Sequence, residues 1–294
     1  MSESTATSSR QENPRLGDFL LPEGFSRPRP LDVLREGRVV LEAGRYAVSS
    51  LDERRRRWAT SYATRGVPHS DEPVILVPGF MAGDLTLHAM SRTLRRRGFR
   101  TYKAHIRANV GCTRAVADDL ESRIESIVIK RGGRVRIVGH SLGGMLARGV
   151  AVRRPDLVSG IVTMGSPMLA PGAHHLLLTA SVDVLCRLSS AGVPGLMATD
   201  CVAGDCARES FHESREPMPP DVSFTAIYSR RDGIVDWRAC IDPEAHAVEV
   251  TASHTGMALD PRVIDVVTDA LQLPAYAGRP GLRSVLEVDS GESA

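Results

Sequence analysis

The chain has 294 residues, 42% of them hydrophobic and 24% charged, and a formal net charge of +2. Such a composition is ordinary for a globular protein, and the length suits one large α/β domain or two small ones. The near-neutral balance leaves no electrostatic footprint for nucleic acid, and the basic residues, nearly all arginine, are scattered among acids.

Met1 to Pro30 lacks the apolar core of a secretory signal, and no run approaches the roughly 18 apolar residues of a membrane span. A cytoplasmic protein is the expectation. Five cysteines (Cys112, Cys186, Cys201, Cys206, Cys240) form no framework pattern, so reduced thiols are expected. Cys201 and Cys206 stand close enough for a disulfide or half of a metal site. No second Cys/His pair at ligand spacing follows them, so no metal is expected.

Residues 1–28 are polar and proline-containing and read as a disordered arm. A helical extension follows over 29–71, with Val33, Leu34, Val40, Leu41 and Val48 at helical spacing. It carries the basic run Arg54 to Arg57 ending in Trp58, read as a solvated helix end whose Trp packs on the main domain. The sharper reading of that run is weak contact with a membrane surface.

The principal domain is placed at 72–273. Pro73 to Val77 is a continuous apolar run suited to a central strand buried on both faces. A helix is expected from Asp84, as N-cap, to Arg97, then a strand from Phe99 to Ile106 and a helix from Thr113 to Lys130 stopped by Gly132 and Gly133. Val135 to His140 and Leu157 to Met164 are further strands, with a helix between them. From 168 to 221 the strand rhythm stops, and this insertion is expected to act as a lid or cap. Strands resume at Val222–Ser229 and His246–Thr251, followed by a helix over Met257–Leu271 and a flexible tail over 274–294. Alternating strands and helices imply a mostly parallel central sheet with helices on both faces, an α/β fold.

Within this frame Gly139-His140-Ser141-Leu142-Gly143 joins a strand to a helix, the context of a nucleophile elbow. A serine hydroxyl needs a base to take its proton, and the base needs an acid to orient it. Such groups belong at the carboxyl ends of strands. His254, between a strand and a helix, is the expected base, and Asp232, in the turn after Val222–Ser229, is the expected acid. Asp236 is the alternative acid or an N-cap. His140 is read as a structural neighbour, and His174 and His175 as packing or solvent-facing residues. An oxyanion hole needs two N–H donors, for which the main chain of Leu142 and of Phe80 is best placed. Phe80, Met81, Leu142 and Met168 would supply an apolar acyl pocket, joined by Met145 if its helix faces inward.

The motifs PVILVPGF, GHSLGGMLAR, VTMGSPM, YSRRDGIVDW and SHTGM occur in family order over Glu72 to Leu273. Together they resemble the α/β-hydrolase superfamily and, within it, the bacterial lipase and esterase group. The resemblance implies a Ser141, Asp232 and His254 triad, with Phe80 and Leu142 as oxyanion donors. The family's usual His-Gly before the oxyanion loop is Pro78-Gly79 here. The implied activity is serine carboxylic-ester hydrolysis of a small-molecule or lipid ester through an acyl-enzyme, with no metal or organic cofactor. Alternatives are acyl transfer from the same intermediate and, from another class, a non-catalytic scaffold of the same fold.

Overall fold

The computed structural model describes residues 17–59 and 72–273. Six strands form one sheet: β1 (Pro73–Val77), β2 (Arg100–Lys103), β3 (Val135–His140), β4 (Val158–Met164), β5 (Ser223–Tyr228) and β6 (His246–Glu249), in the order β2-β1-β3-β4-β5-β6. Every neighbouring pair is parallel.

Burial on both faces explains the unbroken apolar runs. Ile75, Val77 and Ile137 point to one side, where they meet Leu120 and Ile124 of α3 (Thr113–Arg131) and Leu146 and Val150 of α4 (Leu142–Arg153). Val74, Leu76 and Val138 point to the other, against Met90 of α2 (His88–Arg96) and Ile264 of α8 (Pro261–Ala270). Each such side chain, fully withdrawn from water, contributes about 1.5–3 kcal/mol. α3 ends as its sequence demands: Gly132 takes φ 74°, and its N–H closes on the Val128 carbonyl.

The chain passes from β1 outward to β2 and returns on the other side to β3. The crevice above the carboxyl ends of β1 and β3 is therefore the switch point where open α/β sheets bind ligands. Between β4 and β5 the insertion folds as α5 (Leu176–Ser190), α6 (Asp200–Ala203) and α7 (Asp205–Glu213).

Several elements differ from expectation. The segment at Asp84 opens as a 3-10 turn with Gly83 at the cap position, and the Asp84 carboxylate instead accepts from the His105 N–H. Part of the segment read as a disordered arm is packed: the Leu20 carbonyl accepts from Gly172 N–H, Gly17 N–H donates to Val202, and Ser26 N–H donates to Asp236. A short apolar cluster, Phe19-Leu20-Leu21, drives this, with Leu20 buried and Phe19 5.8 Å from the Phe211 ring. Residues 1–16 and the tail 274–294 lie outside the described residues, as do the side chains of Arg54 to Trp58.

The extension begins as a 3-10 segment (Pro30–Arg38) and continues as α1 (Val39–Ala59). Its predicted apolar stripe does not dock: Leu34, Val40, Leu41 and Val48 are all exposed, whereas Glu42 is fully buried. The carboxylates of Glu36 and Glu42, together with Tyr46 packed on the core, attach this segment to the domain. Among the described residues no helix is long and apolar enough to cross a membrane.

Candidate active site

Ser141 occupies the turn between β3 and α4 at φ 53°, ψ −124°. A non-glycine residue at positive φ stores roughly 1–3 kcal/mol and persists only where its surroundings enforce it. Here the two motif glycines do so. A Cβ on Gly143 would run into the Val77 carbonyl, and one on Gly139 into the backbone of Gly143 and Gly144. Only glycines let strand, turn and helix approach this closely. The Ser141 N–H is held by the Met164 carbonyl at 2.8 Å.

The loop after β1 passes directly over this turn, so that a Cβ on Gly79 would stand 3.0 Å from Ser141 Cβ. Asn109, buried in the loop after β2, holds it in place. Its Nδ2 donates to the Pro78 carbonyl at 3.0 Å, its carbonyl accepts from Met81 N–H at 3.0 Å, and its N–H donates to Ala82 at 2.9 Å. Met81 takes φ 57° in consequence. Among the described residues, neither Phe80 N–H nor Leu142 N–H donates to a protein acceptor. Leu142 is the first residue of α4, where the helix leaves its N–H groups free and positive potential accumulates.

Asp232 and His254 lie on the loops after β5 and β6. The Asp232 carboxylate is fixed on both oxygens: Oδ1 accepts from Ile234 and Val235 N–H at 2.8 and 2.9 Å, and Oδ2 meets His254 Nδ1 at 2.6 Å. That bond places the proton on Nδ1 and leaves Nε2 as the basic nitrogen. Burial opposes the charged imidazolium, but the charge and hydrogen bond of Asp232, together with the charge of Glu36, outweigh it and raise the His254 pKa. Among the described residues no hydrogen bond joins Ser141 to His254, a contact that catalytic pairs commonly tighten only around substrate.

His140 behaves as the structural neighbour expected. Its Nε2 donates to the His254 carbonyl at 2.9 Å, and its ring lies 4.9 Å from the His254 ring. Burial, reinforced by His254, lowers its pKa to about 4, so it is neutral at pH 7. Asp236 is an N-cap, accepting from Arg238 N–H at the 3-10 turn Trp237–Cys240. His175 caps α5, and His174 is a packed residue whose Nδ1 meets the Pro171 carbonyl.

Two carboxylates of this neighbourhood escaped the sequence reading, as did Asn109. Glu36 accepts from Gly233 N–H (3.1 Å), His254 N–H (3.0 Å) and Thr255 N–H (2.9 Å), so one carboxylate ties the Asp232 loop to the His254 loop. Glu42 accepts from the N–H and hydroxyl of Ser253 at 2.8 and 2.6 Å. Both stand among arginines in the sequence, where charged residues read as a solvated face.

Ser141 opens into a cleft of about 1130 Å³, including its open mouth. Phe80, Leu142, Met145, Leu178, Val182 and Phe211 contribute to its walls, the last three from the β4–β5 insertion. Met145 does face inward. Met81 points to solvent and Met168 is buried elsewhere, so neither lines this cleft as expected.

A family model described as the alpha/beta hydrolase fold matches residues 72–183. A triacylglycerol lipase of Vibrio cholerae is 31% identical over 113 residues, 36% of this chain. The match spans only 36% of that relative's own length. Among solved structures, the mature Bacillus licheniformis lipase BlEst2 superposes with a TM-score of 0.57 at 13% identity, covering 72% of this chain and 96% of that one. A soluble variant of monoglyceride lipase from Saccharomyces cerevisiae gives a TM-score of 0.52 at 14% identity, covering 71% and 86%. At such identities the superpositions speak to fold. The parallel sheet, the glycine-enforced serine turn between β3 and α4, and the family model matched over residues 72–183 agree on an α/β-hydrolase fold.

Proposed function

We propose that the protein is a serine carboxylic-ester hydrolase acting on acyl esters of small molecules or lipids. The observation that carries this reading is the buried Asp232–His254 pair at 2.6 Å, set beside a serine held at positive φ at the floor of an apolar cleft. An ester binds with its acyl chain along Phe80, Leu142 and Met145. Nε2 of His254 takes the Ser141 proton as Oγ attacks the carbonyl carbon. The oxyanion that forms accepts from the Phe80 and Leu142 N–H groups, whose lack of protein acceptors leaves them free for it. Asp232 keeps the proton of His254 on Nδ1 and stabilises the imidazolium. The imidazolium then protonates the leaving alcohol, giving an acyl-Ser141 ester. Water deprotonated by His254 attacks that ester and releases the acid.

The insertion carrying α5 to α7 covers one side of the cleft and acts as a cap over the acyl site. Likeness to a triacylglycerol lipase and the apolar walls both favour a fatty-acyl group over a charged substrate. The test is hydrolysis of p-nitrophenyl esters from acetate to palmitate by wild type and Ser141→Ala, with fluorophosphonate labelling of both. Hydrolysis and labelling are expected in the wild type and lost in the variant, with an optimum at medium or long chains. Wild-type protein that is folded yet neither hydrolyses ester nor takes the probe refutes the proposal.

A further inference from the structure

Three of the chain's five cysteines meet at one seam. Cys112 stands immediately before α3, Cys201 lies on α6 and Cys206 on α7. All three Sγ atoms lie within 4.8 Å of one another, with Cys112 and Cys206 at 3.5 Å. We propose that this trio is a binding site for a thiophilic metal ion, Zn2+ foremost, that pins the β4–β5 insertion to the sheet domain.

Three observations carry the proposal. The first is spacing. Around a tetrahedral zinc with Zn–S bonds of about 2.3 Å, sulfurs stand about 3.8 Å apart. A disulfide needs about 2.05 Å and uses only two sulfurs, so it gives no reason for the third to be there. The second is polarity. Cys112 is the N-cap residue of the 19-residue α3, so its sulfur is carried at that helix's N-terminus. Free N–H groups at a helix N-terminus stabilise negative charge, which three thiolates around one divalent ion retain. The third is environment. Cys186 and Cys240 are buried, as packing thiols are, whereas the trio is half-buried and reachable by a solvated ion.

The seam is also held by Arg153 of α4, which pairs with Glu213 at the end of α7, and by Phe80, which packs on Val182, Met197 and Val202. Met197 N–H donates to Val110 at 2.8 Å, and Arg114 pairs with Glu209. A metal ion here would join the loop after β2 to two helices of the insertion, and Cys201 itself lines the cleft. Among the described residues no fourth His, Cys, Asp or Glu joins the group, so water completes the shell. On binding, each Cys gives its thiol proton to solvent, three protons for each ion. This role is structural and does not depend on the hydrolase reading.

The test uses the full chain, reduced and stripped with chelator, titrated with Co2+ and then Zn2+. One equivalent of Co2+ is expected to produce a thiolate-to-cobalt charge-transfer band that Zn2+ bleaches, with proton release and a raised Tm. Cys112→Ser, Cys201→Ser and Cys206→Ser should each abolish the band while retaining the wild-type circular dichroism spectrum. Cys186→Ser, outside the trio, should keep it. The proposal is overturned if folded, reduced wild type shows no band and retains no Zn2+ after gel filtration. It is equally overturned if the band survives Cys201→Ser, or if the protein isolates with a Cys112–Cys206 disulfide and, once reduced, still takes no ion.

Discussion

Glu36 lies far from Ser141 in sequence and touches no atom of the proposed reaction, yet its removal should disable the proposed hydrolysis. Its carboxylate accepts three backbone N–H groups, from Gly233, His254 and Thr255. A buried hydrogen bond to a charged group contributes about 1.5–3 kcal/mol. This carboxylate is only half-buried and the Thr255 bond is exposed, so water replaces much of the loss, and Glu36→Ala should cost about 2–3 kcal/mol in all. For a protein of this size that lowers Tm by about 4 to 12 °C. The activity loss should be proportionally larger, because the freed loops carry Asp232 and His254. A misplacement of about 1 Å is enough for a loss on the order of 10²-fold in kcat/KM.

Glu36→Gln separates charge from position. His254 must be neutral to act as base, and its pKa is raised, so activity should rise with pH along a limb displaced above the ordinary 6.5. Glu36 is one of the charges that raise it, after Asp232. Neutralising Glu36 destabilises the imidazolium, and the limb moves to lower pH. The amide oxygen still accepts a hydrogen bond, so Gln should recover part of the rate that Ala loses. The assay is kcat/KM for a p-nitrophenyl ester as a function of pH. Wild-type rates in both variants would refute the positioning role, and reduced rates with an unmoved acid limb would refute the electrostatic one.

Asn109→Ala releases the Pro78 carbonyl and loosens the loop carrying the Phe80 N–H; kcat should fall about 10-fold or more with little change in KM, since such donors act in the transition state. Gly143→Ala forces a Cβ against the Val77 carbonyl, so the variant should be insoluble, or show a Tm lowered in line with a cost of about 3 kcal/mol or more. His140 supplies a stability prediction from a pKa shift of opposite sign to that of His254. Its folded pKa of about 4 lies below the ordinary 6.5, so the unfolded chain binds the proton first. Stability is then lost as pH falls from 6.5 toward 4, by on the order of 3 kcal/mol. Urea denaturation of wild type and His140→Gln across that range should give a stability difference that shrinks toward acid pH, and a constant difference would contradict the assignment.

Much of this arrangement was legible because it rests on local chemistry. The apolar runs of β1, β3 and β4 are continuous because the sheet is covered on both sides, and the elbow declares itself through two glycines that backbone contact makes obligatory. Asp232 and His254 follow from their places after strands. What could not be read depends on long-range partners. Glu42 is fully buried, but in sequence it stands between Arg38 and Arg45 like any solvated acid. Asn109 is one polar residue in a loop. Cys112 meets Cys201 and Cys206 only once the insertion folds back on α3. Phe19-Leu20-Leu21 is too short a cluster to outweigh the polar composition around it.

The family match and the geometry divide the site between them. The matched stretch, 72–183, contains the Phe80 loop and the Ser141 turn but ends well before Asp232 and His254. The acid and base loops are in turn braced by Glu36 and Glu42, which precede that stretch. In the proposed mechanism, the half that stabilises the oxyanion is therefore built from backbone N–H groups within the matched stretch. The half that would move the proton in that mechanism is aligned by carboxylates from an extension outside the matched region. A carboxylate suits this task because it accepts several N–H groups at once while adding negative charge near the imidazolium. It follows that a truncation beginning at Glu72 would keep the elbow and the oxyanion loop but leave Ser253, His254 and Gly233 without their acceptors. Such a fragment should lose base catalysis more severely than it loses the sheet.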